Sequence, residues 1–252
     1  VAVPQLDKPR RRPPDLRVVD RSKNLGNAKS WCYSKIMSEG LGLRDRKKAQ
    51  TRQRIADVAA ALFAKHGYDV VTMLDVARVA DVSDQTVYNY FVAKQDLVLD
   101  RAEQFRGLYR DAIVERPTET SPASALLPLV QADVERYRTA ELEVARGEFI
   151  AQSVKSATLR RFTLEERERQ AQVITEAILA TAPELPRIVA HSHAAAIVAV
   201  IQALHDRIGT HILDRTAQEE PADSMLTTLE VAFLSLDQTF TCLLANADTS
   251  SG

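Results

Sequence analysis

An all-α fold is what this sequence predicts, and three observations point to it. Apolar residues recur at helical spacing from Asp45 almost to the C-terminus, prolines fall between the periodic stretches, and no segment keeps the alternation of a half-buried strand. Eight glycines in 252 residues and an apolar fraction of 45% fit a helical chain long enough to bury a sizeable core.

Residues 1–43 carry prolines, scattered charge and no apolar period, so they are expected to form a disordered extension. Met37 stands just ahead of the first convincing helix and is a candidate translational start. Over 45–66, Ile55, Val58, Ala59, Leu62 and Phe63 make one apolar stripe, closed by Gly67. Thr72 and Asp75 form a capping-box pattern at the head of a short helix, 73–80, with Val76, Ala77 and Ala80 inward. Asp81-Val82-Ser83 reads as a three-residue turn, and Ser83 can cap a second short helix, 84–90. Lys94-Gln95-Asp96 opens a predicted helix of 94–115, stopped by Pro117. Further helices are expected at 122–140, 142–156, 161–181, 186–211 and 223–246, with Pro122, Pro183, Pro186 and Pro221 at the joints.

The net charge of −1 hides an asymmetry. Residues 1–54 hold 15 lysines and arginines against 5 acidic residues, while the rest holds 18 against 29. A basic end on an acidic body suits either a polyanion partner or a solvated tail. Cys32 and Cys242 lie too far apart in sequence for a disulfide framework or a zinc pattern, so a reducing cytoplasm is expected. The longest wholly apolar run, Ala194 to Ile201, is too short for a membrane span, and no membrane partner is expected.

Two short helices joined by three residues make a helix-turn-helix, in which the second helix enters the major groove. The residues sharpen that reading. Ile55, Ala59, Leu62-Phe63 and His66-Gly67-Tyr68 are followed by Thr72, Val76-Ala77 and Ala80-Asp81-Val82-Ser83. Then come Thr86-Val87-Tyr88-Asn89-Tyr90-Phe91, Lys94 and Leu97. In this order residues 46–97 resemble the TetR family of regulators, over about a fifth of the chain. One position departs: Asp81 stands where the family commonly has a turn glycine, and aspartate tolerates left-handed backbone better than most residues.

The resemblance implies a DNA-binding domain over 44–93, a helical ligand-binding and dimerisation domain over 94–246, and a tail over 247–252. It implies phosphate contacts from Thr72 and Lys94, an aromatic pair in Tyr88 and Tyr90, and a basic arm in Arg44, Arg46, Lys47, Lys48 and Arg52. Base reading falls to the outer side of 84–90, since Val87 and Phe91, four apart, should face inward. That leaves Ser83, Asp84, Gln85, Thr86 and Asn89, of which Gln85 and Asn89 can each pair with adenine. No lysine or arginine lies within this helix, so electrostatic attraction falls to its flanks.

Near the C-terminus, Leu226, Leu229, Phe233, Leu236, Phe240 and Leu243 form a narrow heptad seam. With Ile197 and Ile201 it suits a four-helix interface between two subunits, the expected dimerisation surface, with intramolecular core as the alternative. By architecture alone, Tyr137, Arg146, Phe149, Gln152 and Phe162, with Gln170, are candidates to line an effector pocket. An enzyme is not expected. His191 and His193 are two apart on a helix, so they cannot chelate one metal, and neither a phosphate-cradling glycine loop nor a nucleophile elbow is present. Neither a metal nor a cofactor is called for. The whole predicts a homodimeric, ligand-responsive regulator of transcription, a repressor released from a near-palindromic operator by a small molecule.

Overall fold

The computed structural model describes residues 42–214 and 222–249, apart from the side chains of 222–224 and 243–249. Most of the predicted extension, with Cys32 and Met37, therefore lies outside the described residues, as do the Leu243 side chain and residues 250–252 of the tail. The described residues form ten α-helices and one 3-10 turn, with no strand.

The first three helices follow the sequence pattern closely. Helix α1 (Leu43–His66) buries Ile55, Ala56, Ala59, Leu62 and Phe63 and ends at Gly67, whose φ of 83° requires glycine-like freedom. Its partner α2 (Met73–Ala80) begins in a complete capping box between Thr72 and Asp75. Asp81 then takes the left-handed conformation, φ 55° and ψ 50°, the one non-glycine residue with positive φ among the described residues. The turn this allows sends the chain into α3 (Asp84–Tyr90), capped by Ser83 Oγ accepting from the Thr86 N–H at 3.1 Å.

Two long predicted helices are in fact broken. Over 94–115 the chain makes a 3-10 turn at Lys94–Leu97, bends through Val98–Arg101, and only then forms α4 (Ala102–Val114). Asp96 caps the start of the turn by accepting from the Ala93 N–H at 2.8 Å, and within the bend Asp100 pairs with Arg52 of α1. Over 142–156 the chain forms α6 (Leu142–Gly147) and α7 (Phe149–Lys155), separated by extended Glu148. Gly147 marks the break.

The remaining helices are α5 (Pro122–Thr139), α8 (Ala157–Thr181), α9 (Arg187–Leu213) and α10 (Ala222–Thr249). Helix α9 packs against α8, α7 and α10. By length and composition it could cross a bilayer, though the wholly apolar run in the sequence is much shorter. Instead Ala190, Ala194, Ile197, Ile201, Leu204 and Ile208 are buried inside the protein, each isoleucine or leucine contributing about 1.5–3 kcal/mol of hydrophobic stabilisation.

The heptad seam belongs to that same core. Ile197, Ile201, Leu229, Phe233 and Phe240 are at most 3% exposed, and Leu226 and Leu236 pack against them. Helix α10 lies on α5 and α9 of its own chain, and Asp237 accepts from the Ser121 and Ser124 hydroxyls at the start of α5. Five of these seven expected interface side chains are thus buried within the chain itself, and Leu226 and Leu236 are partly buried beside them.

Several buried positions are polar, and His193 is one whose ring nitrogen is left unpaired. His193 is 4% exposed, stacks on Phe240 at 4.5 Å, and its Nε2 has no hydrogen-bond partner. Burial pulls its pKa down to about 4, against a weaker upward pull from Asp237. The unfolded chain therefore takes up a proton from about pH 6.5 downward that the folded chain refuses, so this contribution is present above pH 6.5 and is lost towards pH 4. Thermal unfolding at pH 7 and pH 4.5 should show the difference: His193→Leu loses less stability on acidification than the parent, by on the order of 1–3 kcal/mol. Equal losses would remove His193 from the acid response.

Candidate nucleic-acid interface and its link to the body

Helix α3 presents its side chains in two sets. Val87 and the following Phe91 are fully buried, as their spacing predicts, whereas Ser83, Asp84, Gln85, Tyr88 and Asn89 are exposed and Thr86 and Tyr90 are half-buried. The exposed groups are already organised. Gln85 Nε2 donates to Asn89 Oδ1 at 3.1 Å, leaving the Gln85 carbonyl and the Asn89 amide N–H groups outward as an acceptor and donors. The Ser83 and Thr86 hydroxyls share a hydrogen bond at 2.8 Å, so this pair serves the helix cap as well as the outer face. Asp84 occupies the first turn, where the helix dipole favours an anion.

The residues expected to meet phosphate differ in how free they are. Arg44, Arg46, Lys47 and Lys48 are exposed on the first turns of α1. Thr72 is exposed, but its N–H and its hydroxyl both donate to Asp75 Oδ2, at 3.0 and 2.6 Å. A phosphate would have to replace that carboxylate. Lys94 is half-buried with its Nζ 4.2 Å from the centre of the Tyr68 ring. Burial lowers the Lys94 pKa while Asp69 and Asp75 oppose the shift, and burial raises Tyr68 to about 12. Arg52 faces inward: it donates to the Tyr90 carbonyl, pairs with Asp100, and lies 4.3 Å from the Phe91 ring centre.

The three N-terminal helices are joined to the helices behind them by specific contacts that the sequence did not announce. A Cβ on Gly147 would lie 2.1 Å from the Ala60 carbonyl oxygen, so α6 crosses the α1 backbone where only glycine fits. Gln152, buried on α7, accepts from the Tyr68 N–H at 2.9 Å and donates to the Phe63 carbonyl at 3.2 Å and to the Arg146 carbonyl at 2.5 Å. Ser156 donates to Asp69 at 2.8 Å. The Gln152 side chain, a predicted pocket residue, is thus committed to backbone groups at this junction.

The other predicted pocket residues are scattered. Tyr137 lies under the Arg136 guanidinium at 3.8 Å, in a network where Arg136 donates to both Glu148 oxygens at 2.7–2.8 Å and to Asp133 at 3.1 Å. His205 of α9 meets the other Asp133 oxygen at 3.0 Å. Burial pushes the Tyr137 phenol well up, with the Glu148 carboxylate adding to it. Burial also pushes Asp133 up, yet the His205 hydrogen bond and the neighbouring charges of His205 and Arg136 outweigh it and hold the carboxyl below its usual range. Arg146 donates to the Ile212 carbonyl at 3.4 Å, and Phe149 and Phe162 are half-buried on different helices. An open groove of about 430 Å³ lies between α4, α8 and Arg187, bordered by Arg110, Val114, Gln172 and Glu176 and by none of the five predicted residues. Among the described residues no three metal-binding side chains gather.

A three-helix unit with a tight turn before an outward polar helix defines a helix-turn-helix protein. Residues 55–100 match the family model described as bacterial regulatory proteins, tetR family. The chain is 30% identical over 108 residues to the transcriptional regulator TcmR of Streptomyces glaucescens, covering 43% of this chain and 48% of that protein. It is 31% identical over 112 residues to the regulator BetI of Agrobacterium fabrum, covering 44% and 54%. It thus spans about half the length of the curated relatives it matches. The fold is similar to that of NalD of Pseudomonas aeruginosa, described as the secondary repressor of the MexAB-OprM multidrug efflux pump. The TM-score is 0.51 at 20% identity, over 74% of this chain and 97% of that one. Residues 55–100 thus carry the DNA-binding pattern that the tetR family model describes, and the remaining helices share the fold of a solved regulator.

The α1–α6 crossing can be tested directly. Gly147→Ala places a methyl against backbone, so it should cost more than about 2 kcal/mol of stability or push α6 off α1. Denaturant unfolding with a parental midpoint would show that the crossing is looser than the geometry requires.

Proposed function

We propose that the chain is a sequence-specific DNA-binding regulator that responds to a small molecule, a repressor released from its operator, acting as a cytoplasmic homodimer. Its reader spans 44–93 and its effector and dimer region 94–246. The observation that carries the reading is the outer face of α3, where Gln85 and Asn89 form a linked polar pair over a buried Val87 and Phe91. Amide side chains of this kind suit the donor and acceptor pattern of adenine in the major groove. Attraction to phosphate comes from Arg46, Lys47, Lys48 and Lys94, with Thr72, Ser83, Thr86, Tyr88 and Tyr90 around them.

The effector part of the proposal is supported by the polar network of Asp133, Arg136, Tyr137, Glu148 and His205, set among packed helices where purely structural needs favour apolar side chains. Arg146, Phe149 and Phe162 remain candidates around it.

For the dimer, with the heptad seam engaged inside the chain, the face left for a second copy is the opposite side of α9 and α10. Ala195, Ala199 and Ala203 are exposed on α9, and Val231 and Leu234 are 62% and 57% exposed on α10. Such a row of alanines lets backbones approach, and the two aliphatic residues supply apolar area. A two-fold pairing would set two readers about one DNA turn (~34–36 Å) apart on a near-palindromic site.

DNA selected from a random library should yield a near-palindrome, and variants should then separate two kinds of contact. Lys94→Ala weakens binding to all sequences and lowers the salt slope by about 1, while Gln85→Ala and Asn89→Ala relax choice at particular base pairs by about 1–3 kcal/mol each. Failure to enrich any sequence would sink the proposal. In light scattering, Leu234→Asp should halve the mass with little change in melting temperature, whereas Phe233→Asp should unfold the protein. A Leu234→Asp dimer of parental mass would exclude this face.

A further inference from the structure

We propose that Arg52 and Asp100 form a clamp that positions the reading helix, and that Arg52 is not a phosphate contact. The sequence placed Arg52 with the basic arm of α1, but two of its guanidinium nitrogens are engaged within the protein. One nitrogen donates to the Tyr90 carbonyl at the end of α3, at 2.5 Å. A second pairs with Asp100 at 2.5 Å, and the planar group lies 4.3 Å from the ring centre of Phe91. The Asp100 side chain is 18% exposed and the Arg52 side chain 40%, so the pair is partly shielded from solvent.

The position of the pair gives it a role. The C-terminal carbonyls of a helix lack partners within that helix, and Tyr90 is the last residue of α3, so its carbonyl needs a donor from elsewhere. Arg52 supplies it from α1. Asp100 stands two residues before α4, inside the bend that separates the 3-10 turn from that helix. One guanidinium therefore ties together α1, the end of the reading helix and the entry to α4. Lysine cannot replace it, because a single ammonium cannot present a fork to a carbonyl and a carboxylate while stacking on an aromatic ring.

The clamp makes a prediction opposite in sign to simple electrostatics. Removing an acidic residue from a DNA-binding unit raises its net positive charge and should tighten binding. Asp100→Asn should weaken it instead, because the angle of α3 is no longer fixed. This rests on the proposed DNA-binding function, so the experiment has one arm that needs DNA and one that does not.

In the first arm, full-length Arg52→Gln, Arg52→Lys, Asp100→Asn and the Gln/Asn double variant are titrated, over a range of salt, against wild-type-selected DNA and random DNA. The expected result is a loss of about three- to thirtyfold in the ratio of selected to random affinity for each single variant, with unchanged salt slope. The double variant should be no worse than the poorer single. A merely destabilised protein lowers both affinities together and leaves that ratio unmoved, which would overturn the proposal. So would a slope reduced by about 1 in Arg52→Gln with Asp100→Asn neutral or tighter, since that marks Arg52 as a phosphate contact. In the second arm, amide hydrogen exchange is measured over residues 84–101 without DNA. Faster exchange in both single variants supports the clamp and parental exchange overturns it. Should wild type select no DNA, the function proposed above falls while this arm still judges the clamp.

Discussion

The orientation of the three N-terminal helices depends on one buried amide. Gln152 accepts with its oxygen from the Tyr68 N–H just past α1, and donates with its nitrogen to the Arg146 carbonyl and to the Phe63 carbonyl, which also accepts from the Gly67 N–H. Buried backbone groups without partners cost about 1–3 kcal/mol each. Gln152 meets the need of α1 at the point where α6 already crosses it at Gly147. Packing brings the surfaces together, and the amide selects one register between them. If the chain acts as a dimer on DNA, the separation of its two readers inherits this register.

Much of the fold was legible in the sequence, and for local reasons. Helical periodicity, the Thr72–Asp75 box, the Ser83 cap and the proline joints all act within a few residues, and the structure keeps them with boundaries moved by only a few positions. Asp81 is the sharpest case: a residue that tolerates left-handed backbone stands where the turn needs it. The two broken helices were less visible because neither break contains proline. At Val98–Arg101 the bend coincides with the distant pairing of Asp100 to Arg52, and at Glu148 the break follows a glycine that allows close approach to α1.

What was not legible depends on partners far away in the chain. Gln152 lies 84 residues from Tyr68, Asp133 lies 72 from His205, and nothing local distinguishes these side chains from solvated ones. Arg52 is instructive because its neighbours in sequence are basic and exposed, yet its own side chain turns to Tyr90 and Asp100. The seam of α10 misleads differently. A three-and-four spacing records that a helix buries a narrow stripe, and it says nothing of whether the opposing helix belongs to the same chain. Here α5 and α9 of the same chain fill that role, and the outer row of Val231 and Leu234 has no such repeat to advertise it.

The energetics of a switch follow from how little holds the junction. A tenfold change in DNA affinity corresponds to about 1.4 kcal/mol. One intramolecular hydrogen bond contributes about 0.5–1.5 kcal/mol net, so exchanging one or two of the bonds at Gln152 or Ser156 is already on the scale a regulator needs. An effector would not have to unfold anything or drive a rigid lever. The bend at Val98–Arg101 separates the 3-10 turn from α4, so the stiffest links between the three N-terminal helices and those behind them are the α1–α6 crossing and the Gln152 bonds. A ligand can shift this equilibrium only by its difference in affinity for the two registers. The Glu148 carboxylate sits at the hinge between α6 and α7, held by Arg136 from α5. Binding that draws Arg136 away would free Glu148 one residue from Gly147, and the disturbance would pass to α1 through backbone contact, where no side chain can yield.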